Sequence, residues 1–239
     1  MPVKEPSQIR VILVKSKGIL ADISRNFYQY SMQISYFGLE AFKISNKNFT
    51  AILNPYSKES GLTPMRGNAD LIMLSEAVNP LYSYTQGFSG EPFIIDTPGE
   101  FDTKDFTVTG IPIRNGGKLI TAHLIQTEGI TILNLGHISE LKLNEDELED
   151  LGDVDILLLP VGGHDVLDYD AAAKAANMIE PKIIIPMDYM LPGIKLELNS
   201  NEKFLRQIGG KFETLDKLSL KKKDLVEDGV KVIVLEPAR

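Results

Sequence analysis

No cysteine occurs in the 239 residues. That absence excludes a disulfide framework, thiolate zinc ligation and a cysteine nucleophile, and it suits a reducing cytoplasm. Histidine is scarce, with three copies at His123, His137 and His164, so an imidazole-based site has few residues to draw on. Long apolar runs are missing too. Stretches such as 156–159 fall far short of the roughly 20 residues that span a bilayer. Near the amino end, residues 11–14 are flanked by Lys15 and Lys17, without the apolar core and small-residue cleavage pattern of a signal peptide. The expected location is therefore the cytoplasm, with no membrane partner. Positive charge is in deficit at a formal net charge of −8, which disfavours nucleic acid as a partner. Small anionic ligands stay open, because local field outweighs net charge for them. The G-x-S-x-G nucleophile motif, the P-loop and the dinucleotide-binding glycine fingerprint are absent as well.

What is present suits a globular α/β protein. Hydrophobic residues make up 43%, and the length can bury a substantial core without disulfides or structural metal. Residues 1–31 read as an N-terminal extension, with a strand at 9–14 and a weakly amphipathic stretch at 19–30. Met32 is an alternative start, in which case 1–31 is an upstream artefact. Residues 32–239 read as one compact domain. Strands are expected at 32–38, 41–45, 51–53, 70–74, 93–95, 106–111, 119–126 and 130–135. Asn54-Pro55, Pro98-Gly99-Glu100, Asn115-Gly116-Gly117 and Glu128-Gly129 mark turns.

After residue 140, strands alternate with helices. Asn144 and Glu147 have capping-box spacing, and Asp168 or Asp170 can cap an alanine-rich helix. That helix places Ala172, Ala175, Ala176 and Ile179 on one face. Pro181 stops it, and buried strands are expected at 154–159 and 182–185. Ser200 reads as the cap of a helix ended by Gly209-Gly210, Lys221 to Lys223 as solvated surface, and 230–235 as a closing strand. A β-rich half followed by β and α alternation permits two packed sheets with helices outside.

Four buried runs end on polar residues: 71–74 in Ser75-Glu76, 130–135 in Gly136-His137, 156–159 in the loop reaching His164, and 183–185 in Pro186-Met187-Asp188. Ligands in α/β folds sit at the carboxyl ends of strands, so Glu76, His137, His164 and Asp188 form the candidate pocket. Two imidazoles and two carboxylates suit one zinc, iron or manganese ion, or metal-free acid–base chemistry. The plainer reading makes them polar residues at a pocket rim. His123, mid-strand, is expected to be a hydrogen-bonded structural residue. Gly162-Gly163 reads as a tight turn, and Tyr82 and Tyr84 as lining for an apolar pocket or a partner interface.

Residues 143–148, 152–163, 171–177 and Ile185-Pro186-Met187-Asp188-Tyr189 resemble the ascorbate-phosphate-lactonase-like, metal-dependent hydrolase branch of the metallo-β-lactamase superfamily. The earlier segments 34–42, 69–75, 93–100 and 122–125 fit in the same order, so the likeness covers most of 32–190. It implies an αββα sandwich and a dinuclear zinc centre. The family's histidine-rich ligand run, however, falls on Ser75 to Leu81, which places Glu76, Val78, Pro80 and Leu81 where ligands belong. The middle histidine falls near Arg114 or Asn115, the bridging aspartate on His137 and the last histidine on Asp188. A zinc centre needs N and O donors, and Val, Pro and Leu supply none. The expectation is a hydrolase-like fold with a degenerate metal site, catalytically silent and binding a small molecule or a protein partner. No cofactor is expected. The alternative is a hydrolase of a small ester, lactone or phosphoester using a single divalent metal at the substitute residues.

Overall fold

A computed structural model describes residues 31–209, 211–225 and 229–238. The expectations for the strand at 9–14, the stretch at 19–30 and Gly210 lie outside the described residues. The first half comprises strands β1 (Met32–Gly38), β2 (Ala41–Ser45), β3 (Thr50–Leu53), β4 (Gly67–Asn68), β5 (Leu71–Met73), β6 (Phe88–Ser89), β7 (Phe93–Ile95) and β8 (Gly99–Asp102). Then come β9 (Thr107–Asn115), β10 (Lys118–Thr127), β11 (Ile130–Asn134), helix α1 (Glu145–Leu151), β12 (Ile156–Pro160), α2 (Tyr169–Ile179) and β13 (Ile183–Met187). Helix α3 (Glu202–Ile208), β14 (Phe212–Leu215), β15 (Leu218–Leu220) and β16 (Lys231–Leu235) complete the described chain.

Two main sheets form, in the orders β15-β1-β2-β3-β5-β7 and β14-β16-β13-β12-β11-β10-β9-β8. Side-chain alternation with period two assigns the faces of the first sheet. Phe42, Ile44, Ala51, Leu53, Leu71 and Met73 enter the main core, which they share with Ile132, Leu157 and Ile184 of the second sheet. Ala41, Ile52 and Ile72 alternate onto the opposite face. There Tyr56, Met65 and Tyr82 cover them. Strands β12 and β13 are buried along their whole length, as parallel central strands must be when both faces are covered. The result is an α/β sandwich of two facing sheets of the kind the resemblance implies, although one of the two expected outer helical layers is replaced. Among the described residues, the outer cover of the six-stranded sheet comes from loops rather than a helix.

Local chemistry explains the helices. Asn144 caps α1 with both bonds of a capping box to Glu147, and Asp168 caps α2 through Ala171 N–H. Ala172, Ala175 and Ala176 face inward from α2, and small residues let the helix lie close to β12. Each helix cap contributes about 1 kcal/mol. The cap of α3 is Asn201, without a side-chain bond, and not Ser200. Four further differences have physical causes. Gly99 and Glu100 belong to strand β8, because they pair with Gly110 and Thr109 of β9. Strands β14 and β15 are short and paired with distant partners, a signal that local pattern does not carry. Lys222 is not simply solvated, since its Nζ lies 2.6 Å from the buried Asp155 carboxylate. His123 is fully buried, and neither ring nitrogen finds a hydrogen-bond partner among the described residues. Desolvation pushes its pKa down to about 3. No helix among the described residues is long and apolar enough to cross a membrane.

Candidate functional site

Strands β1, β3, β5 and β7 run in one direction, as β11, β12 and β13 do within their own sheet. Their carboxyl ends carry the polar residues of the molecule's centre. Glu40 sits in the hairpin after β1, Asn54 directly after β3, Ser75 just beyond β5, His137 beyond β11 and Asp188 directly after β13. Three of these positions involve left-handed backbone at non-glycine residues: Leu39 (φ 53), Asn54 (φ 42) and Asp188 (φ 54). Asn and Asp tolerate that region, but at a leucine it costs roughly 1–2 kcal/mol. Asp188 N–H donates to Leu39 O at 2.8 Å, and Tyr36 Oη donates to the same oxygen at 2.9 Å, which fixes the strained turn.

The centre is buried and polar. His137 Nδ1 lies 2.8 Å from Asp188 Oδ2, with Asp188 fully buried and His137 16% exposed. Glu40 is fully buried and its Oε2 accepts from Asn54 Nδ2 at 2.8 Å. Asn54 also donates to Ser75 Oγ at 3.1 Å and accepts from Ser75 N–H at 2.7 Å. Gly136 is required at the bend before His137. Its φ is +66, and a Cβ there would lie 2.5 Å from Ser75 Oγ. Ligand atoms of Glu40, His137 and Asp188 all lie within 4.8 Å of one another. Glu40 Oε1, Asp188 Oδ1 and the Tyr82 hydroxyl are buried without hydrogen-bond partners among the described residues. The Tyr82 ring packs 4.9 Å from the His137 imidazole.

These neighbours shift one another's protons. Burial, then the Asp188 charge, pushes the Glu40 carboxyl well above the usual carboxylate range, while His137 works against that. Burial alone would lower the His137 pKa. The charge and hydrogen bond of Asp188, with Glu40 and Glu76 beyond, outweigh it and push the imidazole up to about 9. A carboxylate-oriented imidazole of this kind can hold or move a proton, or ligate a metal.

Above this buried group opens a cleft of about 750 Å³ lined by Glu76, Asn115, Lys118, His137, His164 and Lys195 among others. Glu76 is bound by Lys118 Nζ at 3.3 Å and by Asn79 Nδ2 at 2.9 Å. His164 also lines the cleft, 46% exposed, with Nδ1 4.0 Å from Glu197. Of the four residues read from the sequence, His137 and Asp188 therefore meet directly. Glu76 and His164 share the cleft but stand outside the three-residue group. Glu40 and Asn54 were not among the sequence candidates. The strand-end rule reaches both, since each follows a strand parallel to β5, but only with the pairing known. Gly162, read as part of a tight turn, packs so closely that a Cβ would collide with Asp188 O. Tyr82 lines the cleft, whereas Tyr84 N–H bonds Pro55 O beside it.

Residues 33–188 match the family described as beta-lactamase superfamily domain. Relatives named UPF0173 metal-dependent hydrolase include one from Nanoarchaeum equitans, 25% identical over 66% of this chain and 84% of its own length. Another, from Oenococcus oeni, is 23% identical over 74% of this chain and 93% of its own. A third, from Pyrococcus horikoshii, is 31% identical, but the match covers 40% of this chain and 41% of the relative. Among solved structures, a metallo-beta-lactamase superfamily protein from Thermotoga maritima superposes with a TM-score of 0.72 at 25% identity, covering 86% of this chain and 100% of that one. The sandwich, the site at its strand ends and the match over 33–188 together place this chain in the beta-lactamase superfamily.

Proposed function

We propose that this protein uses a metallo-β-lactamase fold to bind a small polar molecule, and that it does not hydrolyse the family's ester, lactone or phosphodiester substrates. The observation that carries this reading is the segment from Ser75 to Tyr82. Where the resemblance places metal ligands, Val78 is 90% exposed, Pro80 and Leu81 are apolar, and Glu76 is engaged by Lys118 and Asn79. These residues do not fit a dinuclear zinc centre, whose N and O donors they cannot replace. Fold alone does not supply function. The cleft itself is suited to a ligand with both polar and charged groups, because Lys118, Lys195, Glu76, Asp165 and Glu197 all line it. The net charge of −8 supports a small molecule over a nucleic acid.

A second reading, a hydrolase using a single divalent ion, is favoured by the close grouping of Glu40, His137 and Asp188. An ion held there would supply Lewis-acid polarisation and a more acidic water. One assay separates the two. Protein purified without chelator or affinity tag is incubated with chromogenic ester, lactone and phosphodiester substrates, with zinc or manganese added. Rates indistinguishable from the protein-free background are expected. Sustained metal-dependent turnover that disappears in a folded His137→Ala variant would overturn the binding-protein reading in favour of the second.

A further inference from the structure

Two observations about the buried centre remain unexplained by a proton-sharing pair alone. Glu40 Oε1 and Asp188 Oδ1 are each buried without a partner among the described residues. A native interior seldom leaves such acceptors unsatisfied unless an ion or water serves them. The two belong to residues whose second carboxylate oxygens are already committed, Glu40 Oε2 to Asn54 and Asp188 Oδ2 to His137. Each carboxylate is thus anchored by one oxygen and has the other spare, while His137 Nδ1 would exchange its Asp188 contact for an ion.

The backbone adds an independent indication. Leu39 and Asp188, both left-handed, are tied to each other by the Asp188 N–H···O Leu39 bond at 2.8 Å. Strain of this kind clusters where a structure over-determines the position of functional atoms. Here it sets Glu40 and Asp188 on facing strand ends with His137 between them and the cleft.

We infer that Glu40, His137 and Asp188 hold one divalent transition-metal ion at the floor of the cleft. Two carboxylate oxygens and an imidazole nitrogen form a donor set of the kind zinc, manganese and iron accept. Donors approach such ions to roughly 2.0–2.2 Å, so atoms now within 4.8 Å of one another need only a modest contraction. The set differs from the family's through Glu40, which lies in the β1–β2 hairpin, whereas His137 and Asp188 stand where the resemblance places the bridging aspartate and the last histidine. The inference holds whether or not the cleft is catalytic.

Isothermal titration of the full chain, freed of metal by chelation and desalting, with manganese chloride and separately with zinc chloride, tests it. One equivalent is expected to bind. Glu40→Gln keeps the size and the Asn54 contact of the side chain, and it is expected to weaken binding by at least about tenfold. His137→Ala provides a second, less buried probe with the same expected direction should Glu40→Gln fold poorly. His164→Ala is expected to leave the metal affinity within about threefold, in keeping with its distance from the group. No uptake by the wild-type chain overturns the inference. So does uptake that Glu40→Gln and His137→Ala, both shown folded by circular dichroism, leave unchanged.

Discussion

Replacing Asp155 by Ala is expected to destabilise the protein by roughly 3–5 kcal/mol, as breaking a buried ion pair does. Asp155 is fully buried at the start of β12. Its Oδ1 accepts from Lys182 at 2.8 Å, and its Oδ2 accepts from Lys222 at 2.6 Å and from Thr131 N–H at 2.9 Å. One carboxylate thus ties the amino-terminal ends of β11, β12 and β13 to the segment around Lys222. Burial alone would raise its pKa, but the two lysines and the Thr131 N–H outweigh that and hold it below the usual carboxylate range. The lowered value gives the sign. Its contribution is complete above the ordinary aspartate range and is lost as pH falls through the folded value. Urea denaturation at neutral pH measures the loss. An Asp155→Ala midpoint equal to wild type would remove this residue from the account of stability.

The second large effect concerns acid. His123 stays neutral in the fold, with its pKa pushed down to about 3, whereas an unfolded histidine titrates near 6.5. Below pH 6.5 the unfolded chain gains a proton that the fold refuses. Stability therefore falls as pH drops from about 6.5 toward 3, at up to roughly 1.4 kcal/mol per pH unit from this residue. His123→Leu removes both the orphaned nitrogens and the proton uptake. It is expected to equal or exceed wild type in stability at pH 7 and to lose less between pH 6.5 and 4.5. Parallel acid limbs for the two proteins, compared by urea midpoint at each pH, would contradict the assignment.

Much of the fold was readable because its signals are local. The capping box at Asn144, the Asp168 cap, the alanine stripe of α2 and the buried runs of β12 and β13 all follow from spacing and polarity within a few residues. The elements that escaped are those defined by distant partners. Strand β15 pairs with β1 across the length of the domain, and Lys222 acquires its role from Asp155, 67 residues away. The site divides in the same way. His137 and Asp188 follow obvious buried strands, and their junction was foreseeable from the strand-end rule. Glu40 follows a strand whose direction relative to β5 is set by sheet pairing, so nothing local distinguishes it from any polar hairpin residue. The same holds for Asn54, which reads as a turn residue and serves as the clamp on Glu40. His123 illustrates a different limit, since a mid-strand histidine looks the same in sequence whether or not its nitrogens find partners.

The segment from Ser75 to Tyr82 carries Val78, Pro80 and Leu81 where the resemblance places metal ligands, and the buried group of Glu40, His137 and Asp188 is the site proposed above for a single ion. Anomalous diffraction at the zinc edge, from crystals soaked in zinc and then back-soaked, addresses it directly. A single peak is expected among Glu40, His137 and Asp188, with no partner peak beside Glu76 and Val78. Two peaks about 3.5–4 Å apart along that segment, surviving the back-soak, would contradict it.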